Sequence, residues 1–154
     1  MKIRPGTAGD AKVIIDVHYA AVHQTAATSY PVEVLDSWSR RPDEARYQQI
    51  RGAVAKSEEL FVVADDSSGV IGFGSIVPNS SELCAVYVHP KLGRRGIGSR
   101  ILAELERLAV DRGMSQLGWT RRSTPKRSTG ARDTSSWTMA CIDSTAVMRW
   151  RASR

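Results

Sequence analysis

The first apolar signal along the chain is an alternation, Lys2-Ile3-Arg4, which stops at Pro5-Gly6 and predicts a short strand. Thr7 followed by Asp10 has the spacing of a helix-capping pair, with Asp where Glu or Gln is more usual. Behind it Val13, Ile14, Val17 and Ala21 recur on one helical face, predicting an amphipathic helix from residue 8 to about 25. Ser29-Tyr30-Pro31 breaks that pattern, and a second helical region is strongest from Pro42 to about Ala55, with Pro in the first turn. The period then shortens. Leu60-Phe61-Val62-Val63-Ala64 and Val70 to Val77 read as paired strands around a turn at residues 65–69. After Pro78-Asn79-Ser80, Leu83 to Val88 is a third strand, ended by His89-Pro90. A loop over residues 91–98 leads into a helix striped by Ile101, Leu102, Leu105, Leu108 and Ala109, with Gly113 as its cap. Met114 to Gly118 begins a further strand. Strand, two helices, three antiparallel strands, helix, strand is an α+β layout built in layers.

Length and composition add boundaries. A chain of 154 residues with 42% hydrophobic and 25% charged residues is expected to bury a core without staples. Cys84 and Cys141 form no CxxC and have no His at ligand spacing, so no metal site is expected and Cys84 reads as a small core residue. The start Met-Lys-Ile-Arg-Pro lacks the apolar stretch of a signal peptide, and no apolar run approaches a bilayer span; a cytoplasmic protein without membrane partners is expected.

Charge divides the chain unevenly. Residues 119–154 carry eight basic residues against Asp133 and Asp143, which is the whole net charge of +6. The same stretch holds twelve Ser/Thr and three of the four Trp, and no Leu, Phe, Tyr or Glu. The expected division is a domain at 1–118 and a basic Ser/Thr/Arg-rich tail at 119–154.

The segment Gly93-Arg94-Arg95-Gly96-Ile97-Gly98-Ser99 lies between a strand and a helix. Glycines allow a tight turn there, and the helix N-terminus offers N–H groups and partial positive charge to a phosphate. Arg94 and Arg95 add charge for the same anion, although a plain strand-to-helix turn accounts for the glycines equally well. Neither the dinucleotide fingerprint nor a P-loop is present.

Val86-Tyr87-Val88-His89-Pro90-x3-Arg94-Arg95-Gly96-Ile97-Gly98-Ser99-x2-Leu102 resembles the acetyl-coenzyme A signature of the Gcn5-related N-acetyltransferase (GNAT) family. The resemblance covers residues 1–118. It implies a mixed, mostly antiparallel sheet flanked by helices, with acetyl-coenzyme A as co-substrate. The backbone of Val86, Tyr87 and Val88 would pair with the pantetheine arm, and the amides of Arg94, Arg95, Gly96, Ile97, Gly98 and Ser99 would hold the pyrophosphate. Gly93 departs from the Arg or Gln that opens the family's loop pattern, which implies weakened binding. The family transfers acetyl directly from the thioester to an amine, on a small molecule or a peptide. Glu82 is the candidate base, acting through water; a solvated carboxylate at a strand start is the competing reading. His18, His23, Tyr30 and Trp38 stand where the family lines its acceptor site, and each is also accommodated as a structural residue. Homodimers are common in the family, which makes one compatible with this chain.

The tail departs from the family pattern. The expected Asn-Ala-x-x-Phe-Tyr motif, whose Tyr serves as general acid, does not stand in residues 119–154. A reading-frame slip near Gly118 would yield such an Arg/Ser/Thr/Trp-rich stretch and is compatible with the motif in the neighbouring frame. The expectation is an N-acetyltransferase by descent, open to being inactive as written, with the last helix and strands lost or irregular and the fifth strand left without a neighbour. The rival is a non-catalytic remnant whose basic tail contacts nucleic acid, a reading weakened by the lack of any helical face among those basic residues.

Overall fold

A computed structural model describes residues 1–25, 27 and 29–119 and the backbone of 147–148. Six strands form one sheet in sequence order: β1 (Lys2–Pro5), β2 (Leu60–Asp66), β3 (Gly69–Val77), β4 (Glu82–Val88), β5 (Leu117–Trp119) and β6 (Val147–Met148). β1 to β4 pair antiparallel, β4 and β5 run parallel, and β5 and β6 are antiparallel. Among the described residues four α-helices flank the sheet: α1 (Ala11–Ala20), α2 (Val32–Trp38), α3 (Glu44–Ala55) and α4 (Ile97–Asp111). The α+β layout expected from the sequence is the one observed.

Alternation along β2 assigns the two faces. Val62 and Ala64 pack with Ile76, Val86 and Val88 beneath α4, whose Ile97, Ile101, Leu105 and Ala109 recur every fourth residue and are buried. Phe61 and Val63 point the other way, onto Phe73, Ala85 and the Ile14 and Val17 side chains of α1. α3 contributes half-buried Ile50 and Val54 to that second face. Gly72 and Gly74 let α4 close on the sheet: a Cβ at Gly74 would stand 2.7 Å from Leu105 Cδ1 and 2.9 Å from the Ala85 carbonyl.

The Thr7–Asp10 pair forms as expected, with the Thr7 N–H donating to Asp10 Oδ2 at 2.8 Å. Arg4 grips the same carboxylate through both terminal nitrogens, each at 2.8 Å, and its Nε bonds Asp65. The Arg4 guanidinium, aided by Thr7, holds the Asp10 carboxyl well below the usual carboxylate range. The first helix is longer than α1 itself, beginning as a 3₁₀ turn at Ala8–Asp10 and ending in a π-helical turn at Ala21–Thr25. The second helical region divides into α2 and α3, and Pro42 falls outside α3 because Asp43 caps it, accepting from Arg46 N. At the end of α4, Gly113 takes φ 74°, its N–H donates to Val110 O and Met114 N–H to Ala109 O, a Schellman closure.

Two corrections concern the strands after the loop. β5 begins at Leu117 rather than Met114. Nor is it left without a neighbour over its first two residues, since Leu117 pairs with Met148 and Gly118 with Val147. A strand edge presents open N–H and C=O groups, and a short apolar segment of the tail satisfies them there. The other expectations for the tail, including the missing Tyr, the frame slip and the basic arm, fall on residues outside those described. No helix among the described residues is long and apolar enough to cross a membrane.

Candidate active site

The loop into α4 has the backbone geometry its glycines suggest. Arg94 and Gly96 both lie in the left-handed region, at φ 63° and 70°. For Gly96 this is free of steric cost, whereas Arg94 carries about 1 kcal/mol of strain. A Cβ on Gly96 would meet no atom within 4 Å, so the loop faces open space at that point. Arg100 N donates to Gly96 O at 3.2 Å and is the first rung of the helix ladder. The N–H groups of Ile97, Gly98 and Ser99 therefore precede the ladder and have no acceptor within the helix. Ile97 is buried and anchors the turn, while Arg94, Arg95 and Ser99 are exposed around it.

β4 arrives beside this loop with one edge open. It pairs with β5 only at Glu82 and Leu83, so past Leu83 no described strand residue covers that edge. Tyr87 O and Ala85 O approach the Gly72 and Gly74 positions on β3, and His89 N donates to Ile71 O. By alternation the backbone groups of Val86 and Val88 face the open side. Of the three residues expected to present their backbone, Tyr87 is thus turned to β3. The open edge leads directly toward the unladdered N–H groups of α4.

Near the start of β4 the pairing with β3 slips: Ser75 is opposite Ala85 and Ile76 opposite Leu83. Cys84 is the extra residue of a bulge. Leu83 belongs to the α4 face, and Glu82, opposite Val77, stands on the α1 face. Ser80 Oγ donates to Glu82 Oε2 at 3.4 Å. On the same face lie Ser75, only 1% exposed, and Glu59, one residue before β2. Burial, and then the Glu82 charge, push the Glu59 carboxyl above its ordinary value. The Ser75 hydroxyl is close enough to favour the ionised form of Glu59, yet it makes no hydrogen bond of ordinary geometry.

Of the four residues on or between the first helices, His18 meets Tyr87, while His23, Tyr30 and Trp38 meet partners on the helical side, and none of these contacts reaches Glu82. His18 sets its ring edge-on to Tyr87 at 4.6 Å, and Tyr87 stacks on Phe73 at 5.6 Å. Nδ1 of His18 accepts from Arg46 Nη2 at 3.5 Å and from the Ser39 hydroxyl at 3.0 Å, because a guanidinium can only donate. His23 donates through Nε2 to the Ser39 carbonyl at 2.8 Å and stacks on Tyr19 at 4.0 Å. Tyr30 and Trp38 meet edge-to-face at 4.8 Å and, like Tyr87, pack against the buried pair Val22 and Leu35. Glu82 is five positions away from this cluster, roughly 16 Å along the strand. Sequence reasoning missed Glu59 and Ser75; the signal available was a charged and a hydroxyl residue in step with the apolar residues of neighbouring strand positions.

Comparison with known proteins accords with this geometry. A spermidine N(1)-acetyltransferase of Thermoplasma acidophilum is 28% identical over 118 residues, covering 74% of this chain and 73% of its own. The structure of the PaiA N-acetyltransferase from Thermoplasma acidophilum, solved with coenzyme A, superposes with a TM-score of 0.67 at 25% identity over 79% of each chain. A ribosomal-protein-alanine N-acetyltransferase from Brucella melitensis superposes at 0.59 with 26% identity, over 77% of this chain and 73% of that one. The model of the acetyltransferase (GNAT) family matches residues 19–130. With an open strand edge running into a glycine-turned helix start, and with that match over most of its length, the chain belongs to the GNAT acetyltransferase family.

Proposed function

We propose that residues 1–118 form an acetyl-coenzyme A dependent N-acetyltransferase that modifies a primary amine. The observation that carries this reading is the open edge of β4 beside the start of α4. Backbone groups of Val86 and Val88 would pair with the amide-bearing pantetheine arm, with Tyr87 serving through its ring contacts instead. The N–H groups from Arg94 to Ser99 would hold the pyrophosphate, with Arg94 and Arg95 adding charge. These donors suit the group: the amides precede the helix ladder, and the space outside Gly96 is open. Conservation of the backbone role also lessens the weight of Gly93, since no side chain is needed from that position.

Bound acetyl-coenzyme A supplies an activated acetyl group: the amine nitrogen bonds to the carbonyl carbon, the C–S bond breaks, the nitrogen gives up a proton and the thiolate gains one. Glu82 is placed at the bulge of β4 on the face away from α4, where it can receive the amine's proton through a water molecule. The aromatic cluster around Tyr87 forms a firm wall of the same face, further along the strand.

Calorimetric titration of acetyl-coenzyme A into the 154-residue chain tests the reading. Saturable binding that weakens at least about tenfold in Gly96→Glu is expected, because a carboxylate in the left-handed position both strains the turn and repels the pyrophosphate. Undiminished binding in that variant would remove the cofactor from the loop. Loss of acetyl transfer in Glu82→Gln with binding intact would place the proton step on Glu82.

A further inference from the structure

Glu59 and Glu82 occupy one end of the α1 face. Leu60 is opposite Ile76, so Glu59 comes level with Val77, and Val77 is opposite Glu82. The two glutamates thus flank a central strand, roughly 10 Å apart at the Cα trace by ordinary strand spacing. Among the described residues neither has a cationic partner. A partly buried carboxylate without a counter-charge is costly, and two of the same sign in one place are costlier. Ser75, buried on the same face and diagonal to both, adds a hydroxyl that makes no hydrogen bond of ordinary geometry. Two uncompensated carboxylates and an unsatisfied buried hydroxyl together describe a site that is short of a hydrogen-bonding cation.

The acetyl-transfer reading, on which this inference rests, narrows the cation further. The nitrogen that attacks a thioester must be neutral when it reacts, so it cannot neutralise the pair through the reaction. A second ammonium on the same acceptor can. We propose that Glu59, with the Ser75 hydroxyl buried behind it, forms a second contact of the acceptor site, holding the distal ammonium of a diamine or polyamine whose other nitrogen reacts beside Glu82. Glu59 is then a specificity-determining residue that touches the acceptor away from the reacting atoms. The two carboxylate oxygens of Glu59 supply acceptors for an –NH₃⁺ group, and the buried Ser75 hydroxyl holds that carboxylate in its ionised form.

Acetylation of butane-1,4-diamine and of n-butylamine by the full chain tests this directly, since the two share a carbon skeleton and differ in one ammonium. The diamine is expected to have the higher kcat/KM by about tenfold at low ionic strength. In Glu59→Gln that ratio falls to about one, with the loss in KM, and Ser75→Ala lowers it part of the way. Equal use of the two amines by the unaltered chain, or a ratio that survives Glu59→Gln, would overturn the proposal. Should Glu59→Gln fail to fold, Glu59→Asp reads the same ratio with the charge withdrawn by one methylene. Binding separates the two readings: calorimetry with butane-1,4-diamine on the coenzyme A-saturated chain needs no turnover. Diamine binding that Glu59→Gln weakens about tenfold, without acetylation of either amine, upholds the subsite and sinks the transfer reading. Acetylation of butylamine without preferential binding of the diamine sinks the subsite and leaves the transfer reading standing.

Discussion

The two faces of the sheet are built to different standards. Beneath α4 the contacts are apolar throughout, and glycines at 72 and 74 remove side chains so that Ile101 and Leu105 can touch the strand backbone. On the opposite face the apolar centre of Phe61, Val63, Phe73 and Ala85 is bordered by polar groups: Glu59, Ser75 and Glu82 at one end, His18 and buried Ser39 at the other. Jigsaw packing on one side fixes the sheet and the start of α4, where the amides without a helical acceptor are. Costly polar placements on the other side are affordable because that rigidity exists. The difference separates a face that holds the scaffold from one that carries polar groups, the face on which the proposed chemistry is placed.

The contrast can be broken most severely at Leu105, which is fully buried. Leu105→Ala is expected to cost about 3 kcal/mol in a denaturant titration, the transfer and cavity terms of a closed core. Ser75→Ala, equally buried on the other face, is expected to shift stability by less than about 1 kcal/mol, because its hydroxyl has no formed hydrogen bond to lose. Similar losses at the two positions would erase the distinction. Next in size is Gly74→Ala, where a new methyl meets Leu105 Cδ1 at 2.7 Å, Ile101 Cγ2 at 2.8 Å and an immovable carbonyl at 2.9 Å. Overpacking of that kind costs about 2 kcal/mol, and a crystal structure of the variant should show α4 displaced from β3.

The smallest effect runs in the opposite direction. Glu59 holds its proton above the ordinary value of 4.5, so the folded state binds that proton more tightly than the unfolded chain. Its contribution to stability is complete below that value and is lost as pH rises through the raised folded value. Glu59→Gln should therefore melt higher than the unaltered chain at neutral pH, with the advantage vanishing near pH 4 in paired calorimetric melts. A variant that gains stability while losing diamine preference would mark the α1 face as one where function is held against the interest of the fold. Asp10 has the reverse sign: its carboxyl is depressed by Arg4, so its contribution fades as pH falls below about 4.

Much of the scaffold is legible in the residues because each element carries its own period. The α4 stripe, the hairpin of β2 and β3 and the glycine turn before Ile97 need no tertiary knowledge to be placed. α2 was less legible, since Leu35 is the one side chain it buries and a single apolar position has no period. Pro42 resembles a first-turn proline, but Asp43 is the better cap and moves the start two residues on, to Glu44. The site divides in the same way. Backbone amides at 94–99 are signalled by glycine and arginine, whereas the orientation of the Tyr87 carbonyl depends on which hydrogen-bonding phase β3 imposes. Glu59 was invisible because its place beside Glu82 arises from strands brought level by pairing across the hairpin, a relation no local window contains.

Cys84 illustrates how the pairing of a strand, and not the parity of its residue numbers, decides which face a side chain takes. Glu82 has the same parity as Val86 and Val88, so in an uninterrupted strand it would point under α4 with them. One surplus residue resets the count and delivers the carboxylate to the other side of the sheet, while Leu83 takes the place beneath the helix. Replacement of the thiol by another small side chain leaves that arithmetic intact. Deletion of the position would leave residues 82, 83, 85 and 86 in plain alternation, with Leu83 still beneath α4 and Glu82 still on the other face. The side each residue takes follows from the count of paired positions, and Cys84 is the one position of β4 that stands outside that count.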